Sequence, residues 1–175
     1  MNLSFTEATE DDIPSIVSIN NEAATHLTFL YGKGHWSYQC TEKGMRHRRK
    51  GNSKLLAAKY NSEIVGSLNL VTKKPWAIDV TCFTNVLHPL YLIGMAVHPD
   101  WQRKGIGRYM LEEVKSFVIS WPAQALRLDA YDNPAGAGEF YRKCGYTERG
   151  RVVYRNNPLI YFEMLDFKQR IDSIK

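Results

Sequence analysis

A glycine-containing turn is the part of this chain whose residues could best hold an anion. It lies between the apolar run 90–97 and a segment with helical spacing of apolar residues, and it reads Gln102-Arg103-Lys104-Gly105-Ile106-Gly107-Arg108. Glycines let the backbone reach positive φ and approach a ligand closely. The N-terminus of the helix that follows presents unpaired N–H groups and partial positive charge, which suit phosphate oxygens. The sequence therefore predicts an anion-binding turn, and its three cationic side chains add formal charge.

Two common phosphate motifs do not fit this turn. A P-loop needs Lys-Ser or Lys-Thr beside its second glycine, and neither pair follows Gly107. A dinucleotide-binding fingerprint needs a third glycine, and Met110 stands at that position. We therefore predict that the turn binds an anionic ligand without a metal ion.

A second segment of the chain forms a motif that accompanies the glycine-containing turn. Apolar residues 125–131 predict a strand, after which Asn133 and Pro134 open a short helix that carries Tyr141 and ends at Gly145. The pattern [Q/R]-x-x-G-x-[G/A], matched by Gln102, Gly105 and Gly107, resembles the acetyl-coenzyme A motif of the GNAT N-acetyltransferase superfamily. The strand, the asparagine and the sequence Phe-Tyr-Arg-Lys-Cys-Gly-Tyr at 140–146 are similar to the other motif of that superfamily.

The resemblance implies a role for each matched residue. Backbone N–H groups of 102–107 would bind the coenzyme A pyrophosphate, and main-chain groups of the strand segment Met95-Ala96-Val97 would pair with the pantetheine arm. Asn133 would contact that arm, and Tyr141 would lie near the sulfur. A phenol with a pKa near 10 can return a proton to the departing thiolate, so Tyr141 is the predicted general acid. Tyr141 as a core aromatic and Asn133 as a helix N-cap remain alternatives.

The general base and the acceptor are left open by the sequence. Six residues could remove a proton from an amine: Glu22, His26, Asp79, His88, His98 and Asp129. The densest positive charge is the run 46–50, Arg46-His47-Arg48-Arg49-Lys50. A solvated helix face explains it most simply; docking of an anionic acceptor, of the coenzyme's 3′-phosphate or of nucleic acid are the alternatives. Tyr31, Trp36 and Tyr38 precede the run as acceptor contacts or as a satellite core.

Composition bounds the class of protein. The 175 residues suffice for one domain, and 44 % are hydrophobic and 23 % charged, which is ordinary globular composition. Lys and Arg exceed Asp and Glu by 23 to 18, and the pI of about 9.1 favours anionic ligands. Three cysteines without CxxC spacing argue against a zinc site or a disulfide framework and fit a reducing, cytoplasmic location. We expect no secretory signal at the N-terminus and no membrane span.

The pattern of elements predicts an α/β fold. Strands are expected at 3–8, 54–60, 64–72, 90–97, 125–131, 146–155 and 159–165, with an extra strand near 78–83. Helices are expected at 10–23, 36–50, 107–121 and 133–145. The resemblance implies a GNAT-like arrangement, with about seven strands in a mixed, mostly antiparallel sheet, a splayed parallel pair and about four helices. We expect one N-acetyltransferase domain over 1–175, with a short tail at 165–175.

The predicted function is acetyl transfer from acetyl-coenzyme A to a primary amine of a small molecule or peptide, by direct attack on the thioester. No metal is expected to take part. Two functions of other classes compete with it: a non-catalytic coenzyme A-binding or regulatory module, and a basic nucleic-acid-binding protein, which is the less favoured because no nucleic-acid motif accompanies the charge. The sequence leaves the oligomeric state open, a homodimer included.

Overall fold

The computed structural model of the protein describes residues 2–165 and residue 167. Seven strands and four α-helices follow one another along the chain, with short 3₁₀ turns at His35–Ser37, Val80–Cys82 and Pro99–Trp101. The elements are β1 (Leu3–Glu7), α1 (Ile13–Tyr31), α2 (Glu42–Arg48), β2 (Ser53–Tyr60), β3 (Glu63–Val71), β4 (Pro89–Val97), α3 (Ile106–Ser120), β5 (Ala125–Tyr131), α4 (Gly138–Lys143), β6 (Thr147–Tyr154) and β7 (Asn157–Met164). Apart from residues 165 and 167, the predicted tail lies outside the described residues.

The strands form a mixed sheet in the order β1-β2-β3-β4-β5-β7-β6. The β4–β5 pair is parallel, and its register covers only Pro89–Tyr91 against Ala125–Arg127. The pairs β1–β2, β2–β3, β5–β7 and β6–β7 are antiparallel. The predicted fold class, with seven strands, four helices and a parallel pair that separates early, is therefore confirmed.

The described residues divide into two compact units. The first contains residues 2–71 and 92–110, and its core packs one face of α1 against α2 and the β2–β3 hairpin. Ile13, Ile16 and Ile19 recur at helical spacing and are almost completely buried. The turn between β2 and β3 places Asn61 and Ser62 at positive φ, as a two-residue hairpin requires. The hairpin predicted from the sequence around residues 61–63 is confirmed.

The second unit contains residues 72–91 and the described residues from 111 onward. Its core lies on β5 and β7, where Leu126, Leu128 and Phe162 are buried. Tyr141 of α4 packs against Phe162, with ring centroids 5.7 Å apart. The sheet thereby positions the short helix whose tyrosine the sequence singles out.

Four local predictions are wrong. The helix expected at 133–145 is only Gly138–Lys143, because Asn133 and Pro134 form a turn before it. The strand expected at 78–83 is a 3₁₀ turn instead, because Asp79 accepts hydrogen bonds from the N–H and hydroxyl of Thr81 and holds the backbone in a turn. α1 runs eight residues beyond the expected end at 23. The sequence pattern does not predict these last turns because their exposed apolar side chains, such as Phe29 at 84 % exposure, break the amphipathic pattern. The helix expected at 36–50 is reduced to a 3₁₀ turn and α2, and α2 begins where Thr41 caps the N–H of Gly44.

Candidate functional site

The predicted anion-binding turn leads from β4 into α3 in the first unit. Arg103 and Gly105 both have positive φ, 59° and 85°, so the backbone reverses tightly before α3 begins at Ile106. The carboxamide Nε2 of Gln102 donates to the carbonyl of Val97 at 3.1 Å and closes the turn from the strand side. Only glycine adopts the Gly105 conformation without strain. The turn therefore delivers the first N–H groups of α3 in the arrangement that suits an anion.

His98 fastens the start of this turn. Its Nδ1 accepts from the N–H of Asp100 at 3.2 Å, and its Nε2 lies 2.9 Å from a carboxylate oxygen of Glu22 on α1. The structure thus brings together two of the six residues proposed as general bases. Because both ring nitrogens are engaged, His98 acts here as an anchor between α1 and the turn.

An aromatic pair supports the other side of the turn. The ring of Trp101 lies 4.7 Å from that of Tyr60 on β2, and the ammonium of Lys104 lies 5.2 Å from the centre of the indole. A cation over an aromatic face is attracted by the electron density of the ring. These contacts orient Lys104, one of the three predicted cations of the turn; Arg103 and Arg108 are exposed.

β4 changes character at Gly94. Leu90, Tyr91 and Leu92 are buried, whereas no residue from 93 to 97 is, so the prediction of a strand buried on both faces holds only for its first half. The described register of β4 with β5 ends at Tyr91, which explains the change. Gly94 has a φ of 58°, a left-handed backbone conformation within β4, just before Met95, Ala96 and Val97. Glycine adopts this conformation without steric cost.

Asn133 lies in the second unit, in the loop between β5 and α4. Its Oδ1 accepts from the N–H of Ala135 at 3.0 Å, and its carbonyl accepts from the N–H of Gly136 at 2.9 Å. The helix begins only at Gly138, after Ala137. The alternative in which Asn133 caps the helix is therefore wrong: its side chain forms an Asx turn, because Pro134 favours a turn at this point.

Tyr141 is buried, with 7 % of its surface exposed. Its ring also meets that of Tyr146, with centroids 5.8 Å apart. Burial raises the pKa of the Tyr141 phenol well above its usual range, and the negative charges of Asp129 and Cys144 act in the same direction. The hydroxyl consequently stays protonated at neutral pH, as a proton donor must.

Asp129 on β5 is a base candidate whose carboxyl group has a raised pKa. Burial raises the pKa of its carboxyl group, although its own backbone N–H opposes the change. Asp79, by contrast, is used in the 3₁₀ turn, where its bonds to Thr81 lower its pKa. The main chain of His88 is paired with Gln124, whose N–H donates to the His88 carbonyl at 2.9 Å.

The second unit contains a buried ion pair that the sequence did not predict. Arg127 on β5 and Glu163 on β7 lie in register and are 3 % and 1 % exposed, and Nε of Arg127 donates to Oε1 of Glu163 at 2.9 Å. Oε2 of Glu163 accepts from the hydroxyl of Thr84 at 2.7 Å and lies 2.8 Å from Nε of Arg149. The pair ties the segment after β3 to the sheet. Its signal in the sequence is a charged residue of opposite sign within each of two apolar strands.

The arginines of the basic run 46–50, at the C-terminal end of α2, have different surroundings. Arg46 forms ion pairs with Glu10 and Glu42, and Arg49 pairs with Glu10 at 2.8 Å. These two arginines form a solvated ion-pair network at the helix surface. Arg48 takes no part in it: its guanidinium lies against β4, with Nη1 3.1 Å from the position that a Cβ on Gly94 would occupy.

Within the described residues, no group of three or more His, Cys, Asp or Glu side chains could hold a metal ion. No helix among them is both long and apolar enough to cross a membrane. Cys40, Cys82 and Cys144 are not joined by disulfide bonds.

Comparison with known proteins identifies the fold and the motifs together. The pattern of the "Acetyltransferase (GNAT) domain" matches residues 51–148, which is more than half of the chain and includes β4, the turn, α3, β5 and α4. The chain belongs to the GNAT acetyltransferase family. The resemblance carried by Gln102, Gly105, Gly107, Asn133 and Tyr141 is thereby confirmed at the level of the family.

Two curated GNAT relatives match shorter stretches. An aminoglycoside N(6′)-acetyltransferase type 1 from Stenotrophomonas maltophilia is 35 % identical over 69 residues, which cover 39 % of this chain and 45 % of the relative. A glucosamine 6-phosphate N-acetyltransferase from Schizosaccharomyces pombe is 39 % identical over 54 residues, which cover 31 % of this chain and 46 % of the relative. The chain thus spans slightly less than half the length of each.

A solved GNAT-fold structure aligns over almost the whole chain. It is a putative acetyltransferase, yncA, from Salmonella typhimurium with its cofactor acetyl-coenzyme A. The alignment covers 94 % of each chain with a TM-score of 0.69 at 15 % identity. At that identity the likeness establishes the fold.

Proposed function

We propose that the protein transfers the acetyl group of acetyl-coenzyme A to a primary amine by direct attack of the amine nitrogen on the thioester carbon. The observation that carries the proposal is the turn between β4 and α3, where the family motif coincides with positive φ at Arg103 and Gly105 and with the first N–H groups of a 15-residue helix. Relatives that acetylate amino sugars and an acetyl-coenzyme A complex of the same fold support it.

The roles of the matched residues follow from that chemistry. Backbone N–H groups of 102–107 hold the pyrophosphate, with charge from Arg103, Lys104 and Arg108. Main-chain groups of Met95, Ala96 and Val97 pair with the pantetheine arm as an added strand would, since the described β5 register ends at Tyr91 and none of these three residues is buried. Asn133 contacts the arm through its ordered turn.

Tyr141 supplies a proton to the departing coenzyme A thiolate. The nitrogen forms its bond to the carbonyl carbon, the carbon–sulfur bond breaks, and the electron pair of that bond leaves with sulfur, which accepts the phenolic proton. The nitrogen then loses its extra proton, and that proton returns through solvent to the tyrosinate, so the products are the amide and the free thiol. Because burial raises the pKa of Tyr141, the phenol is protonated but is a weaker acid than usual. Its contribution should therefore fall at the low end of general-acid catalysis. Asp129, whose pKa burial raises, takes the proton from the ammonium form of the acceptor in this proposal, since Glu22 and His98 are engaged with each other.

A non-catalytic coenzyme A-binding module is the second candidate, because the same turn would serve it. Free thiol release from acetyl-coenzyme A, measured with a panel of primary amines and with none, separates the two. The proposal expects release that depends on the amine, with the acetylated amine detected by mass spectrometry. Coenzyme binding with amine-independent release only would favour the module, and strongly salt-dependent binding to DNA or RNA would favour a nucleic-acid-binding protein.

The remaining expectations from the sequence stand as proposals. We propose a cytoplasmic location, since Cys40, Cys82 and Cys144 form no disulfide bond. We treat residues 1–175 as one N-acetyltransferase domain because the solved GNAT-fold structure aligns over 94 % of the chain. A homodimer stays a prediction that sedimentation would test.

A further inference from the structure

A cavity of about 720 Å³ lies beside α2 in the first unit. Its size is within the range of sites for small molecules. Its lining comes from the segment between the first 3₁₀ turn and α2, from α2, and from the residues just after α2. These lining residues are Tyr38, Cys40, Thr41, Lys43, Gly44, Arg46, His47, Arg48 and Lys50. Four of these residues are cationic at neutral pH, and none is an aspartate or glutamate.

The positive charge of the cavity is only partly neutralised. Arg46 is held by Glu10 and Glu42. Among residues 2–165 and 167, no ion pair involves Lys43, Arg48 or Lys50. Cys40 does not balance them either, because burial raises the pKa of its thiol even though Arg48 opposes that effect. A lined space with three uncompensated cations is suited to an anion.

Arg48 connects this cavity to β4. The residue is half-buried, and its backbone carbonyl is fixed by the hydroxyl of Ser53 and by Nδ2 of Asn69 at 3.3 Å. Its Nη1 lies 3.1 Å from where a Cβ on Gly94 would stand, so a side chain at position 94 would press on the guanidinium. Gly94 immediately precedes Met95, where the proposed function places the pantetheine arm.

We propose that this cavity binds an anionic group of the acceptor, a carboxylate or a phosphate monoester, through Arg48 and the neighbouring cations Lys43 and Lys50. The guanidinium offers a planar pair of N–H donors that matches either group. The acceptor is then an amine that also carries an anion, and Arg48 is a specificity-determining residue. This inference rests on the proposed function for the place of the thioester, and the experiment below measures anion binding without any transfer.

The coenzyme and nucleic acid are less suitable occupants. The phosphates of the coenzyme have their own proposed turn, with Arg103, Lys104 and Arg108. Nucleic acid requires a run of phosphate contacts along an extended surface. Here Arg46 of α2 and Arg49, directly after α2, already pair with carboxylates, so the remaining positive charge is confined to the cavity.

Nuclear magnetic resonance of the full chain tests the inference with three probes that share an aminoethyl group: O-phosphoethanolamine, β-alanine and ethanolamine. Each is titrated at constant ionic strength, with and without coenzyme A, while the Gly94 amide and the Arg48 Nε–H resonances are followed. We expect saturable shifts with at least one of the two anionic probes and none with ethanolamine. The stronger of the two anionic probes identifies the anion as phosphate or carboxylate.

Two variants sharpen the result. Arg48→Gln should weaken binding of the anionic probe at least about tenfold, since a charge-assisted pair of hydrogen bonds is lost. Arg49→Gln removes the same charge one residue away, outside the lining of the cavity, and should change the affinity by less than about twofold. Equal shifts with ethanolamine, no shift with any probe, or equal losses in the two variants would overturn the proposal.

The failures remain distinguishable. Anion binding that depends on Arg48 without any amine acetylation would retain this site and remove the proposed function. Acetylation with the same preference for neutral and anionic amines would retain the function and overturn the site. An oligonucleotide that binds more tightly than the probes, with equal loss in both variants, would also overturn it.

Discussion

The imidazole of His98 lies between Glu22 on α1 and the N–H of Asp100, with Nε2 2.9 Å from the carboxylate and Nδ1 3.2 Å from the backbone nitrogen. Glu22 and His98 are both base candidates from the sequence, yet this contact makes His98 an anchor at the start of the turn between β4 and α3. Because both ring nitrogens of His98 have partners, the imidazole stabilises the backbone conformation at the start of the turn.

His98→Ala should therefore weaken acetyl-coenzyme A binding more than it lowers turnover. Losing one or two ordinary hydrogen bonds predicts a Kd about three- to tenfold higher, close to 1 kcal/mol. Calorimetry gives the Kd, and saturating kinetics give kcat. His98→Asn, which can still cap Asp100, is the matched control and should lose less. A large fall in kcat at unchanged Kd would instead make His98 the general base.

Glu163→Ala should be among the most destabilising single changes in the second unit. It leaves the buried guanidinium of Arg127 without its carboxylate, and breaking a buried pair in this way costs about 3–5 kcal/mol. Urea denaturation measures the loss. The double change Arg127→Met with Glu163→Met should cost less than Glu163→Ala alone.

The control for this prediction is Glu139→Ala. Glu139 pairs with Arg142 and Lys143 at the surface, where its side chain is 68 % exposed. Its loss should change the free energy of unfolding far less than that of Glu163. Similar losses for the two variants would show that the buried pair does not hold the segment after β3.

The sequence predicted best where local pattern and local structure agree. The strand 125–131, the hairpin at Asn61 and the turn at Gly105 each depend on residues close together in the chain, and each was found as expected. The Glu22–His98 and Arg127–Glu163 contacts could not be predicted, because each joins elements that only the tertiary fold brings together. The difference between Arg46 and Arg48 has the same origin: two residues of one type point to different neighbours.

Asp129→Asn should stabilise the protein at neutral pH. Burial raises the pKa of Asp129 in the folded state, so the folded protein binds a proton more readily than the unfolded chain, and the wild type loses stability as the pH rises above about 4. The variant cannot lose that proton. Urea denaturation across a pH series should show curves that coincide in acid and separate towards neutrality, with the variant higher.

Asp12→Asn is the control, because it should change the stability at neutral pH in the opposite direction. Burial raises the pKa of Asp12, but hydrogen bonds from Lys59 and Thr9 outweigh it and lower the pKa overall, so ionisation of Asp12 favours folding. This variant should be less stable than the wild type at neutral pH, and the difference should shrink in acid. An Asp129→Asn variant that behaved like Asp12→Asn would mean that Asp129 is stabilised as a carboxylate.

Tyr141→Phe keeps the ring that packs against Phe162 and Tyr146 and removes the proton. Turnover should fall about 10- to 100-fold, at the lower end of general-acid effects, because the raised pKa weakens the acid and a thiolate already leaves well. Acetyl-coenzyme A affinity should change by less than about 1 kcal/mol. A kcat within about twofold of wild type, with chemistry rate-limiting, would make Tyr141 structural.

Acetyl-coenzyme A binding to a size and charge series at Gly107 tests most directly whether the turn between β4 and α3 holds the coenzyme. Gly107 stands in the first turn of α3, where an acidic side chain favours the helix but repels a pyrophosphate. By thermal shift and calorimetry, affinity should fall in the order wild type, Gly107→Ala, Gly107→Gln, Gly107→Glu, with binding lost in the last and the ligand-free melting temperature preserved. A Gly107→Glu variant that the coenzyme stabilises as much as it does the wild type would contradict this role of the turn.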